Sequence, residues 1–318
     1  MKGKEISFFF YTVKNRTKSK SSKFLDEMDK VIPWDELVAI IEKHISRKYR
    51  GRKRKDTKLM LKCLCLAQWY NLSDPGLEDA INDRISFQRF LELDLSYEQS
   101  PDETTFVKFR HFLEKNNLYE KIFNRVVEIL EEKGLILKQG TLVDATITKA
   151  PSSTKNKKKE RDPEMSSTKK GNQYYFGMKT HVGVDTKHGV VHSLRVTTAK
   201  VHDSKELENL LHGEEKYIGG DRAYSNQSLK KQCRSNGIIY GILDKAPRGK
   251  KLSSSQKKRN KKLSKIRAMV EFPFRIVKDL WGHKKVRYKG VYKNTCHQYF
   301  LYALANIFLV RDLLAAAQ

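Results

Sequence analysis

At 318 residues the chain is long enough for two domains, or for one large domain with an appendage. Lys and Arg number 64 against 37 Asp and Glu, a formal net charge of +27, and 39% hydrophobic content supplies a core, which excludes global disorder. An excess of that size repels itself unless a polyanion offsets it, and its clustering favours nucleic acid over an anionic membrane.

Four cysteines are too few for a disulfide framework in a chain this long. Cys63 and Cys65 lie two apart in an apolar helical run and read as buried small hydrophobes rather than metal ligands. No secretory signal is visible, and the apolar run 300–310 is too short to span a bilayer. The expectation is a reduced, cytoplasmic compartment, close to the nucleoid, with no membrane partner.

In chain order, residues 1–23 read as a flexible arm, basic over 14–23. A helix is expected near Pro33, with Leu37, Ile40 and Ile41 at helical spacing. The basic stretch 47–58, with Arg52, Lys53 and Arg54, reads as an exposed linker. Helices follow over 59–70 and, after the turn Asp74-Pro75-Gly76, over 77–91. Asp102 caps a further helix, and helix-favouring sequence runs on to Lys133, where Gly134 stops it.

The pattern changes at residue 140, where 141–147 reads as a strand. A Lys/Ser-rich loop is expected from Pro151 to Gly171, then paired strands over 174–184 and 190–198. A helix is expected from Leu207, strands over 216–221 and 237–243, and a helix between them over 225–236. The basic segment 244–264 reads as a short insertion before a helix through 267–281, and 297–314 as a buried helix. The expected architecture is α/β: an all-helical region over 24–138, then a mixed sheet flanked by helices over 139–318.

Three acids occupy unusual places. Asp144 interrupts an apolar strand, Asp221 follows two glycines at a strand end, and Glu271 shares a helical face with Arg267 and Lys278. Singly, each is better read as a cap or an ion-pair partner. Together they form an oxygen-only set of the type that hard divalent cations prefer, and such cations suit in-line phosphoryl transfer. His181, Asp185, His202 and Asp203 read as structural groups outside that set, and Tyr224 as a packing residue.

The stretches Gln139-Gly-Thr-Leu-Val-Asp144-Ala-Thr-Ile, Arg161-Asp-Pro-Glu-Met, Lys169-Lys-Gly-Asn-Gln-Tyr and Leu210-Leu-His-Gly-Glu-Glu carry a resemblance. So do Arg267-Ala-Met-Val-Glu271-Phe-Pro-Phe-Arg-Ile, Arg287-Tyr-Lys-Gly and, among the helices, Gln68-Trp-Tyr-Asn-Leu-Ser-Asp. From about Ile32 onward the chain resembles transposases of the insertion sequence 5 family, DDE enzymes with a ribonuclease-H-like core.

The resemblance implies a metal-binding catalytic triad of Asp144, Asp221 and Glu271, holding two Mg²⁺ ions that Mn²⁺ can replace. It implies phosphate contacts from Arg267 and Lys278, while Ser264 stands where the wider group's signature has tyrosine. It further implies binding to double-stranded DNA, both the element's terminal inverted repeats and the target, by a homodimer in the synaptic complex. Metal-activated water would cut, and the freed 3′-hydroxyl would join. Lys257, Lys258, Arg259, Lys261 and Lys262 are the expected DNA-tracking cations, with Arg52, Lys53 and Arg54. The competing readings are a nuclease without joining activity and a transposase-derived DNA binder without chemistry.

Overall fold

A computed structural model describes residues 19–46, 54–247 and 249–317, which form two compact units. The first holds the described residues up to Ile122 together with those from Arg311 onward; the second is Phe123–Val310. Arg52 and Lys53, and most of the expected N-terminal arm, lie outside the described residues.

The first unit is helical: α1 (Lys20–Val31), α2 (Trp34–Glu42), α3 (Thr57–Trp69), α4 (Asp74–Asp83), α5 (Ile85–Leu91), α6 (Glu103–Lys115) and the start of α7 (Leu118–Glu132). Residues 20–23, expected in the arm, already belong to α1, whose Ser19 side chain accepts from the Ser22 N–H. Helix α3 is buried almost throughout, Cys63 and Cys65 included, so it forms the axis of this unit. Burial raises both thiol pKa values, which suits inert packing groups. Lys62 is also inside, at 2.9 Å from Asp29 and beneath the rings of Trp34 and Phe90. Its charge is thus compensated where burial alone would be costly.

The single helix expected over 77–91 is two helices. Arg84 is extended between them, with its guanidinium over Tyr70 and Phe87. The Gln88 amide donates to the carbonyls of Ile81 and Asn82, which satisfies groups that the break in the helix exposes.

The second unit is built on a six-stranded mixed sheet: β1 (Gly140–Lys149), β2 (Ser166–Lys170), β3 (Gln173–Asp185), β4 (Val191–Thr198), β5 (Tyr217–Gly220) and β6 (Ile239–Ile242). β3 pairs antiparallel with β1, β2 and β4, whereas β1, β5 and β6 run parallel. The first four strands are joined by antiparallel pairing and the last two run parallel to β1, which is the mixed sheet expected from the sequence. β2 is a correction: it lies inside the expected 151–171 loop, and Gly171 at φ +61° turns it into β3.

Helix α8 (Gln227–Ser235) precedes β6, and its Leu229 and Cys233 pack with Leu207, Leu210 and Tyr224 against Val143, Ile218 and Ile242. The helix expected from Leu207 is instead a pair of 3-10 turns, Asp203–Lys205 and Glu208–Leu210. The chain then continues through α9 (Ser254–Arg267), a 3-10 turn, α10 (Glu271–Arg275), a π turn (Ile276–Leu280), α11 (Val291–Leu309) and α12 (Arg311–Ala316). The basic segment read as an insertion is therefore helical from Ser254 onward. A capping box between Ser253 and Gln256 starts α9, and its long straight side chains favour helix.

Helix α11 is buried along most of its length and is tied to the sheet by polar groups. Buried Asn306 bonds both the N–H and the carbonyl of Val191, at 2.9 and 2.7 Å. The Arg161-Asp-Pro-Glu-Met stretch caps the same helix: Asp162 accepts from the Gly290 N–H and Glu164 from the Val291 N–H, each at 2.7 Å. Carboxylates there also complement the helix dipole. Glu215 has a similar structural role, accepting from the N–H groups of His212 and Gly213 and from the Thr141 hydroxyl.

Candidate active site

Strand β1 carries Asp144 at its centre, and parallel β5 delivers Asp221 one residue past its end. Val143 pairs with Gly220 in that register, so the two aspartates follow side by side on adjacent strands. Neighbouring strands lie about 4.8 Å apart. The glycines before Asp221 make the approach feasible: a Cβ on Gly219 would come within 2.7 Å of Leu142, and one on Gly220 within 2.8 Å of Val143. Asp221 also caps the turn Arg222–Tyr224, accepting from the Arg222 N–H.

Glu271 arrives from the other side of the sequence. It opens α10, directly after the turn that follows α9 and before Pro273, which occupies an early position where its missing N–H is tolerated. Arg267, one helical turn earlier, joins the two parts. Its guanidinium lies 2.7 Å from Asp144 Oδ2 and 3.7 Å from Glu271 Oε1.

Asp144 is pushed up to about 6, first by burial and then by repulsion from Glu271 and Asp221. The Ala145 N–H and Arg267 pull the other way. The three acids therefore share one field. As placed, no three His, Cys, Asp or Glu side chains among the described residues are arranged to hold a metal ion. The bridging guanidinium supplies positive charge to two of the carboxylates instead. The donor chemistry fits a hard divalent cation, since every candidate ligand atom is a carboxylate oxygen and the group lacks a full complement of positive charge.

Changing Arg267 to Gln leaves a largely buried carboxylate without its partner. With the two side chains 27% and 17% exposed, the metal-free protein is expected to lose about 1–3 kcal/mol, less than a fully buried pair would cost. Thermal melting with chelator or with Ca²⁺ would show a larger Ca²⁺ stabilisation in the variant than in the parent. Equal shifts in the two proteins would count against metal binding at these carboxylates.

Lys278 stands farther along β1, donating to the Ile147 carbonyl from the π turn. Burial first, then the neighbouring Lys170, Lys149 and Lys284, bring its pKa down to about 8, against Asp279. Arg259, expected among the DNA-tracking cations, has partners within the protein. It donates to the carbonyls of Tyr240 and Ile242 and pairs with Asp244 at 2.8 Å, fastening α9 to the sheet edge. Lys257, Lys258, Lys261 and Lys262 lie on the exposed side of the same helix. Arg54 belongs to the first unit, with its guanidinium over Phe112 in a cleft of about 800 Å³ that holds none of the three acids.

The other polar residues singled out from the sequence have partners within the protein. His181 is buried, bonds Thr197 at 2.9 Å, and has its pKa lowered chiefly by burial, which keeps the ring neutral. Asp203 pairs with Lys179, His202 bonds Ser204, and Asp185 accepts from the N–H groups of Leu137 and Lys187. Tyr224 is fully buried in the core beneath the sheet, as a packing residue. The sequence reading missed the cationic group of Lys149, Lys170 and Lys284 around Lys278, because only the pairing of β3 with β1 and β2, and of Lys149 with residues 284–285, places them together.

Two family models match the chain. The family model of the transposase DDE domain matches residues 136–307, just over half of the chain, and a second one, transposase domain (DUF772), matches 13–112. Among solved structures, the Mos1 strand transfer complex is similar at 10% identity and a TM-score of 0.20, covering 74% of this chain and 81% of that one. The chain belongs to the transposases with a DDE domain, metal-dependent enzymes that cut and join DNA.

Proposed function

We propose that this chain is a transposase of the insertion sequence 5 family, acting on the terminal inverted repeats of its own element. Asp144, Asp221 and Glu271 are its catalytic and metal-holding residues. The observation that carries this reading is Arg267 joining Asp144 to Glu271 while Asp221 follows Asp144 on the adjacent strand. Two Mg²⁺ ions, replaceable by Mn²⁺, would supply charge neutralisation at the phosphate and a more acidic water.

The chain's own groups do the rest. The carboxylates of Asp144 and Asp221 are fixed by the neighbouring N–H groups of Ala145 and Arg222, at 2.8 and 2.7 Å, so their orientation is set before DNA arrives. Arg267 and Lys278 bind phosphates on either side of the reacting one, and the exposed lysines of α9 hold the flanking backbone. The helical region 24–138 serves end binding and assembly, residues 139–318 the chemistry, and two copies pair the element's ends. The site of action is cytoplasmic DNA at the nucleoid.

A strand-transfer assay tests the reading. Supplied with a pre-cut end, Mg²⁺ and a target duplex, the protein is expected to join the 3′ end to the target. Hydrolysis without joined product would make it a nuclease, and binding without either product would make it a DNA-binding derivative.

A further inference from the structure

The β2–β3 hairpin extends past the part of the sheet that β1 and β4 cover. β1 ends against Gly177, where β3 passes from β1 to β2; a Cβ there would lie 2.1 Å from the Thr148 carbonyl oxygen. Beyond it, residues 173–176 pair with β2, which makes a two-stranded ribbon turning at Gly171-Asn172. The side chains of Lys169, Lys170, Asn172, Gln173 and Tyr174 are exposed on it, Tyr174 to 72%.

An exposed tyrosine on a bare ribbon would ordinarily be a liability. Here the aromatics are paired with cations: Lys169 lies over Tyr174, Lys149 over Tyr175 and Arg161 over Phe176, at 5.1–5.4 Å from the ring centroids. Lys149 at the base of the ribbon, Lys170 beside its turn, and Lys284, which also pairs with Asp279, all repel the charge of Lys278, an arrangement that a polyanion would relieve.

Resting on the reading of the chain as an end-cutting transposase, we propose that this hairpin enters the major groove of duplex DNA. Asp144 pairs with Val182, and Tyr174 is eight residues farther along β3. At about 3.3 Å per residue the ribbon reaches roughly 26 Å from the catalytic acids. With about 3.4 Å per base pair, its contact falls roughly eight base pairs from the phosphate being cut. A two-stranded ribbon fits a major groove about 12 Å wide. The Asn172 and Gln173 amides are the donor–acceptor pairs that suit an adenine edge, while Lys169 and Lys170 suit the flanking phosphates.

The test uses the full chain carrying Glu271→Gln, so that DNA stays uncut, on a duplex of the inverted repeat flanking its gene and on an unrelated duplex. Adding Asn172→Ala with Gln173→Ala is expected to weaken repeat binding about tenfold and unrelated binding less than about twofold. Adding Lys169→Ala with Lys170→Ala is expected to weaken both and to flatten the salt dependence by about two units of slope. In hydroxyl-radical footprints either change removes protection roughly eight base pairs from the cut site.

Unchanged footprints and affinities, with melting preserved, overturn the proposal. So does loss of self-association without DNA in sedimentation, which would make the hairpin a contact between two copies of the chain. Failure of the parent reading is separable: the unmutated protein would then leave the repeat uncut in Mg²⁺, while the lysine variant still reports on the unrelated duplex.

Discussion

Asp144→Asn, Asp221→Asn and Glu271→Gln are each expected to abolish cutting and joining while end binding stays within a few-fold of the parent. A divalent cation stabilises transition-state charge by several kcal/mol. At 1.36 kcal/mol per factor of ten, losing one carboxylate ligand costs about 10³-fold or more in rate. Binding is spared because the exposed lysines of α9 are untouched. Gel-shift and single-turnover cleavage on the same DNA read the two effects separately. Full transposition by any one variant would remove that residue from the triad. Melting curves are the control, most of all for Asp144, whose carboxylate is both largely buried and paired with Arg267.

Neutralising Lys257, Lys258, Lys261 and Lys262 together is expected to lower DNA affinity by about 10³-fold near 0.1 M salt. Each phosphate contact adds about 0.9 to the slope of log affinity against log salt, so four contacts give a decrease of about 3.6. These lysines occupy i, i+4 positions on the exposed side of α9, the helix that runs directly into Arg267 and Glu271. Arg259 on the same helix behaves differently, because its guanidinium is occupied by the Tyr240 and Ile242 carbonyls and by Asp244. Arg259→Ala should loosen α9 from the sheet edge and lower the melting temperature, with little change in salt slope. A salt titration that leaves the slope of the four-lysine variant unaltered would take α9 out of the DNA footprint.

Charge and side-chain type made much of the site legible. An aspartate inside Leu142-Val143-Asp144-Ala145 is out of place in a strand unless something needs it there, and Gly219-Gly220 before Asp221 announces a close backbone approach. Helix periodicity likewise put Arg267 and Glu271 on one face, where their guanidinium and carboxylate stand 3.7 Å apart. The β2–β3 hairpin was hidden by its composition. Ser-Ser-Thr-Lys-Lys resembles a solvated loop, and the two-residue turn signal Gly171-Asn172 was its one local mark.

The sequence by itself determined what depends on local pattern: most of the segments that are helical or extended, where apolar faces lie, and which acids stand in places that cost free energy. Tertiary structure decided what depends on partners far along the chain. Arg259 fastens α9 to the sheet edge, whereas Arg267, eight residues later on the same helix, joins Asp144, 123 residues away in sequence, to Glu271. Basic residues on one helix look alike in sequence because their charge is identical. Their roles separate only when the sheet register brings specific carbonyls and carboxylates within reach of each guanidinium, since those interactions fall off over a few ångströms.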